Sequence, residues 1–139
     1  MNVFIKVLGE PVGKGRPRFS TKGGFPRAYT PAKTESYQKS IKAEYLENYI
    51  PLLFAPNTPL LIIVNAFMPI PKSTSKNNRI SMLEGHIRPM KKPDADNILK
   101  AAMDALNGVA YEDDKQLVST TCNKWYSEVP RTEIIIEEI

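Results

Sequence analysis

The sequence predicts an α+β protein, a small sheet of about four strands with two main helices in the order β-α-β-α-β-β. Three observations carry that expectation. Residues 2–8, 59–68, 116–126 and 132–138 read as strands, residues 31–48 and 94–107 space their apolar side chains as helices do, and glycine and proline collect between these runs.

The first strand, residues 2–8, alternates apolar and polar side chains. From Glu10 to Pro31 the chain carries Gly13, Gly15, Pro17, Gly23, Gly24 and Pro26, which exclude regular structure there. Thr30 followed by Pro31 is a helix start signal, a hydroxyl cap before proline at the first helical position. That helix runs to about Asn48, burying Tyr37, Ile41, Tyr45 and Leu46 and turning Lys39, Lys42 and Glu44 to water. Pro51 and Pro56 punctuate the following turn. The strand from Pro59 to Met68 is almost continuously apolar, as a central strand is. Pro69 to Pro93 shows no convincing periodicity, and loops longer than about 15 residues are usually functional or disordered. The second helix begins after Asp94: Ile98, Leu99, Ala102, Met103, Ala105 and Leu106 make one broad apolar face, and Asn97, Lys100, Asp104 and Asn107 the other. Gly108 ends it. A third strand spans about Gln116 to Tyr126. The last, Thr132 to Glu138, sets Ile134 and Ile136 against Glu133, Ile135 and Glu137, as an antiparallel partner covered on one face would.

Composition narrows the class. A length of 139 residues makes residues 1–139 one expected domain, and 42% hydrophobic with 24% charged residues is ordinary for a globular chain. The single cysteine, Cys122, cannot close an intrachain disulfide or build a thiolate cluster, which fits a reducing, cytoplasmic setting. The opening Met-Asn-Val-Phe-Ile-Lys-Val-Leu lacks the parts of a signal peptide. No apolar run approaches the ~18 residues a membrane span needs, so no membrane partner is expected.

Charge is segregated along the chain. Residues 1–92 hold fifteen Lys/Arg against five Asp/Glu, whereas residues 93–139 hold four against ten. A basic part joined to an acidic part suits a molecule with one surface neutralising phosphates and another gathering carboxylates around a cation. The basic candidates for DNA contact are Lys14, Arg16, Arg18, Lys22 and Arg27 in the first loop, and Lys72, Lys76, Arg79, Arg88, Lys91 and Lys92 in the second. Phe19, Phe25 and Tyr29 are able to stack on unpaired bases, but anchoring their own loop is the commoner use of such aromatics.

The chemistry lies in the carboxylates. Asp94 and Asp96 flank the start of the second helix, and residues two apart converge only if Asp94 is still outside the helical turn. Asp114 stands before the third strand. Three oxygen-bearing side chains are what a hard cation such as Mg²⁺ asks for, and such an ion polarises a phosphate and activates water. Lys100, one turn beyond Asp96, is placed either to steady a phosphate or to pair with Asp96 or Asp104 on the surface. Taken singly, each aspartate reads as a cap or turn residue.

The constellation changes that reading. Asp94-Ala-Asp96-Asn97-Ile-Leu-Lys100-Ala-Ala-Met-Asp104-Ala-Leu, followed by Asp113-Asp114-Lys-Gln-Leu, resembles the RusA family of Holliday-junction resolvases, proteins often carried by phages and prophages. The opening Pro-Val-Gly-Lys-Gly-Arg-Pro-Arg18 and Tyr29-Thr-Pro31 match it in character. The resemblance implies that Asp94, Asp96 and Asp114 are catalytic carboxylates holding Mg²⁺, with Mn²⁺ as a substitute, and that Lys100 is a catalytic lysine. Asp113 is the lesser candidate of the acidic pair. A mixed sheet, a homodimer with one active site per subunit, branched DNA as partner, and paired symmetric nicks at a four-way junction are also implied.

Other signals fall away. Gly13-Lys-Gly15 is neither a dinucleotide fingerprint nor a P-loop. Asp94-Ala-Asp96 opens like a calcium loop, but Leu99 and Ala105 stand where that loop needs glycine and glutamate. His86, the only histidine, reads as a bystander in a polar loop, and Cys122 as a small core residue. Beside the junction nuclease stand two alternatives: a junction-binding protein that has lost cleavage, and a nuclease acting on forks or flaps.

Overall fold

A computed structural model describes the whole chain except Arg16 and Pro17, and of Arg18 it describes the backbone. Its elements are β1 (Asn2–Leu8), β2 (Arg18–Ser20), β3 (Arg27–Tyr29), α1 (Ala32–Asn48), β4 (Leu60–Pro69), α2 (Lys76–Leu83), α3 (Ala95–Leu106), β5 (Leu117–Ser127) and β6 (Arg131–Glu138). The expected α+β class holds. Four strands form a mixed sheet in the order β1-β6-β4-β5. β6 lies antiparallel to both β1 and β4, and β4 runs parallel to β5.

Alternation decides which face is covered. Val3, Ile5 and Val7 of β1, Leu60 to Met68 at every second position of β4, and Ile134 and Ile136 of β6 are buried. Tyr37, Ile41 and Tyr45 of α1 and Ile98, Ala101, Ala102, Ala105 and Leu106 of α3 pack on that face. Small alanines let α3 lie close to its neighbours, and this is where most of the apolar area is removed from water. Leu46 departs from expectation: it is exposed, because the buried stripe of α1 is narrower than the sequence suggested. Tyr37 Oη and Thr132 Oγ1, both buried, share a hydrogen bond of 2.5 Å under α1, and burial pushes the Tyr37 phenol up to about 12.

The two expected loops are more structured than the sequence reading allowed. The first holds a separate hairpin, β2 against β3, with Arg18 opposite Tyr29 and Ser20 opposite Arg27. Gly23 and Gly24, at φ 89° and 84°, make its turn possible instead of only forbidding structure. The second loop holds α2, capped by Ser75 accepting the Asn78 N–H. None of the residues of α2 is buried, so it leaves no apolar periodicity to be read. At α1, Pro31 is the cap residue and the helix starts at Ala32, one residue later than expected.

α2 and the segment after it are held by Trp125 of β5. Arg88 lies over the indole with its guanidinium carbon 3.4 Å from the ring centre and donates through Nε to the Lys124 carbonyl at 2.5 Å. Asn65, the polar break in β4, accepts from Trp125 Nε1 and Asn123 Nδ2, both at 3.2 Å. No helix is long and apolar enough to cross a membrane.

Candidate active site

α3 is the element that positions the acidic side chains. Asp94 is its cap residue with extended backbone at ψ 149°, so it stands outside the helix as convergence with Asp96 requires. Its side chain makes no capping hydrogen bond, which leaves both carboxylate oxygens unused at the helix entrance. Asp96, in the first turn, is exposed. Lys100 is exposed one turn further on, and among the described residues it makes no ion pair. The surface pairing that its spacing allowed with Asp104 is taken up elsewhere: Asp104 binds Lys14, 90 positions away in sequence.

The α3 entrance opens on a cleft of about 810 Å³ whose walls include Lys14, Lys33, Lys92, Asp94 and Asn97. The segment from Gly13 to Gly15 is wedged between the entrances of α1 and α3. Lys14 N–H donates to the Asn97 carbonyl at 2.9 Å, Gly15 N–H donates to Thr34 Oγ1 at 3.1 Å, and Thr34 Oγ1 donates to the Gly13 carbonyl at 3.2 Å. Close approach needs glycine here, since a Cβ on Gly13 would lie 2.8 Å from Pro93 Cβ and 3.1 Å from Asn97 Cβ. Two helix entrances with lysines around them favour anions, so the cleft joins a phosphate-attracting wall to a carboxylate.

The opposite end of α3 gathers a second acidic group. Asn107 Oδ1 accepts the Asp114 N–H at 3.1 Å just past the helix. Asp113 caps a short 3-10 turn, Asp114–Gln116, in a capping box with Gln116. The Lys115 N–H holds the Asp113 carboxyl below the usual carboxylate range, whereas partial burial, then Asp113 and Asp104 nearby, push Asp114 above it. Asp113 is thus spent on structure, and Asp114 is the one left under charge stress.

The structure therefore separates the expected trio within one chain. From Asp94 to Asn107 are thirteen residues, or about 19 Å along the helix at the usual rise. Among the described residues no three acidic, histidine or cysteine side chains are placed to hold one ion. Asp94 and Asp96 alone still fit Mg²⁺, which commonly takes one or two carboxylates and completes its octahedron with water and substrate phosphate.

The basic candidates divide as well. Lys22, Arg27, Lys72, Lys76, Lys91 and Lys92 are exposed. Lys14 is engaged by Asp104, Arg79 pairs with Glu128 at 3.2 Å, and Arg88 is stacked on Trp125. Arg16 and the side chain of Arg18 lie outside the described residues. His86 is exposed beside Glu84, and burial pushes the Cys122 thiol up to about 11, which leaves it unreactive.

The sequence assigns no role to Thr34 or Gln116, and pairs Asp104 with Lys100 where the structure pairs it with Lys14. Gln116 is buried, donates to the Ala55 and Thr58 carbonyls and accepts the Glu112 and Asp113 N–H groups, so it fastens the acidic turn to the β4 approach. Its signal was present in the Asp-Asp-x-Gln run; Thr34 had none. A family model described as endodeoxyribonuclease RusA matches residues 9–137. The chain is also 38% identical over 146 positions to a Bacillus subtilis (strain 168) protein described as uncharacterized protein YqaN, spanning 99% of this chain and 96% of that one.

Proposed function

The chain belongs to the RusA endodeoxyribonuclease family, and from that premise we propose that it is a Mg²⁺-dependent nuclease that resolves Holliday junctions by paired nicks in DNA recombination and repair. The observation that carries this reading is the α3 entrance, where Asp94 and Asp96 offer carboxylates unspent on capping beside a lysine-walled cleft. Asp94 and Asp96 would hold the ion. The chemistry it supplies when bound is polarisation of the scissile phosphate and activation of the attacking water. Lys33 and Lys92 draw the DNA backbone into the cleft, and Lys100 projects a positive charge one turn along from Asp96, where it can steady the phosphate or the leaving oxygen. Lys14, neutralised by Asp104, positions the loop instead of meeting DNA directly.

A homodimer belongs to the proposal. Asp114 is too far along α3 to join Asp94 and Asp96 of its own chain, and we infer that the Asp114 of a second copy, its acidic turn meeting this helix entrance, adds a third carboxylate beside the ion. Two-fold symmetry would then give two equivalent centres for two strands of a junction with approximate two-fold symmetry. A cytoplasmic setting is part of the same reading.

Purified protein incubated with a labelled four-way junction, a fork and a linear duplex tests it. Ligatable paired nicks in the junction are expected with Mg²⁺ or Mn²⁺, and none with chelator. Equal cutting of forks would shift the substrate, and binding without nicking at any metal concentration would make the chain a junction-binding protein.

A further inference from the structure

The β2–β3 hairpin carries apolar surface that the fold does not use. Phe19 is 75% exposed, Phe25 72% and Tyr29 48%, so none of the three anchors its loop as such aromatics usually do. Leaving aromatic rings in water is unfavourable unless something covers them. They do not form one patch. The register sets Phe19 opposite Ala28 on one face of the ribbon and Tyr29 on the other face with Arg27, while Phe25 sits in the turn. Rings splayed in different directions suit neither a flat protein interface nor a membrane, both of which need a continuous apolar face.

Charge points to the occupant. Between Glu10 and Glu35 the chain contains six basic residues and no acidic one, with Lys22 and Arg27 exposed on the hairpin itself. An anion with a flat apolar face matches both features, and an unpaired nucleotide is such an anion: its base stacks on a ring while its phosphate meets a cation. Bases inside a duplex are already covered, so the preference is for DNA that exposes them. Position agrees as well, because the hairpin springs from the cleft rim. Gly15 before it is bonded to Thr34, Pro31 after it packs against Gly15, and all three line the cleft with Asp94.

We propose that the β2–β3 hairpin is a base-stacking element in which Phe19 and Phe25, with Tyr29, take up unpaired nucleobases beside the α3 entrance and so select branched over linear DNA. This rests on the nuclease reading for its biological purpose, though not for the binding itself. The test uses the full chain, a four-way junction carrying 2-aminopurine at the crossover, and a linear duplex of equal length, with chelator present during binding. Wild-type protein changes the 2-aminopurine fluorescence of the junction. The double variant Phe19→Ala/Phe25→Ala keeps the wild-type Tm, loses that change and binds the junction roughly tenfold or more weakly, while duplex affinity and its salt dependence stay as they were. Arg27→Ala lowers affinity for both DNAs and flattens the salt slope.

Undiminished junction affinity and fluorescence response in the double variant would overturn the proposal, as would a change in sedimentation of the free protein without a change in DNA binding. The two readings fail separately. If the wild type never nicks but its fluorescence response still needs Phe19 and Phe25, the nuclease assignment falls and the stacking element stands. If the double variant nicks junctions as selectively as the wild type, the reverse holds.

Discussion

Asp113 and Asp114 are adjacent and acidic, yet their surroundings push them in opposite directions. Asp113 accepts the Lys115 N–H, so its carboxyl is lowered; it contributes stability above the unfolded carboxylate pKa that is lost as pH falls through the lowered value. Asp114 is raised by partial burial and by Asp113; ionised at neutral pH it costs stability, and that cost disappears as pH falls through the raised value. Asp113→Ala is therefore expected to lower Tm at about pH 7, with the difference shrinking as pH falls through the lowered value of Asp113. Asp114→Asn is expected to raise Tm slightly at neutral pH and to lose that advantage in acid. Thermal scans across this pH range decide it, and shifts of the same sign for both variants would contradict the assignment.

Among the elements, α3 was the most legible in the sequence because its apolar stripe is wide and its ends carry chemical signals, Asp94 before it and Gly108 after it at φ 72°. The sheet strands were legible to within a residue or so: β1 and β6 because burial on one face writes alternation into the chain, and β4 because a central strand is apolar almost throughout. α2 and the β2–β3 hairpin were not, because neither buries a face. What fixes the second loop instead is a set of contacts to β5 and the turn after it that no spacing reveals: Arg88 over Trp125, with Gly85 close to the indole, Lys124 Nζ donating to the Lys91 carbonyl at 2.6 Å, and Arg79 paired with Glu128. Arg88→Ala should cost about 1–2 kcal/mol, from the lost ring contact and the lost bond to the Lys124 carbonyl. It should also shift Trp125 fluorescence and open residues 70–92 to protease. Arg88→Lys should restore little, since an ammonium lacks the planar stacking face. Unchanged proteolysis in Arg88→Ala would mean that the segment is held some other way.

At the scale of the whole molecule, an acidic constellation that is compact in the sequence is spread out in space. Asp94, Asp96 and Asp114 look like one cluster in a motif read as text; α3 intervenes as a rod and holds its two ends about 19 Å apart. The segregated charge has a counterpart in space at the cleft, where Lys33 and Lys92 stand with Asp94, while Lys14, from the basic part, is absorbed by Asp104. The α3 entrance with Asp94 and Asp96, and the turn with Asp114, are each local features of the sequence; their union in a dimer is part of the proposal. The most direct measurement is Mg²⁺-dependent junction nicking by Asp96→Asn, by Asp114→Asn, and by the two variants refolded together, with binding followed in parallel. Each variant alone should bind the junction at least as well as wild type and nick it at least about a hundredfold more slowly, and the mixture should recover nicking, since one mixed centre keeps all three carboxylates. Normal nicking by Asp96→Asn alone would contradict the placement of the catalytic centre at the α3 entrance, and a silent mixture would contradict its completion by a second subunit.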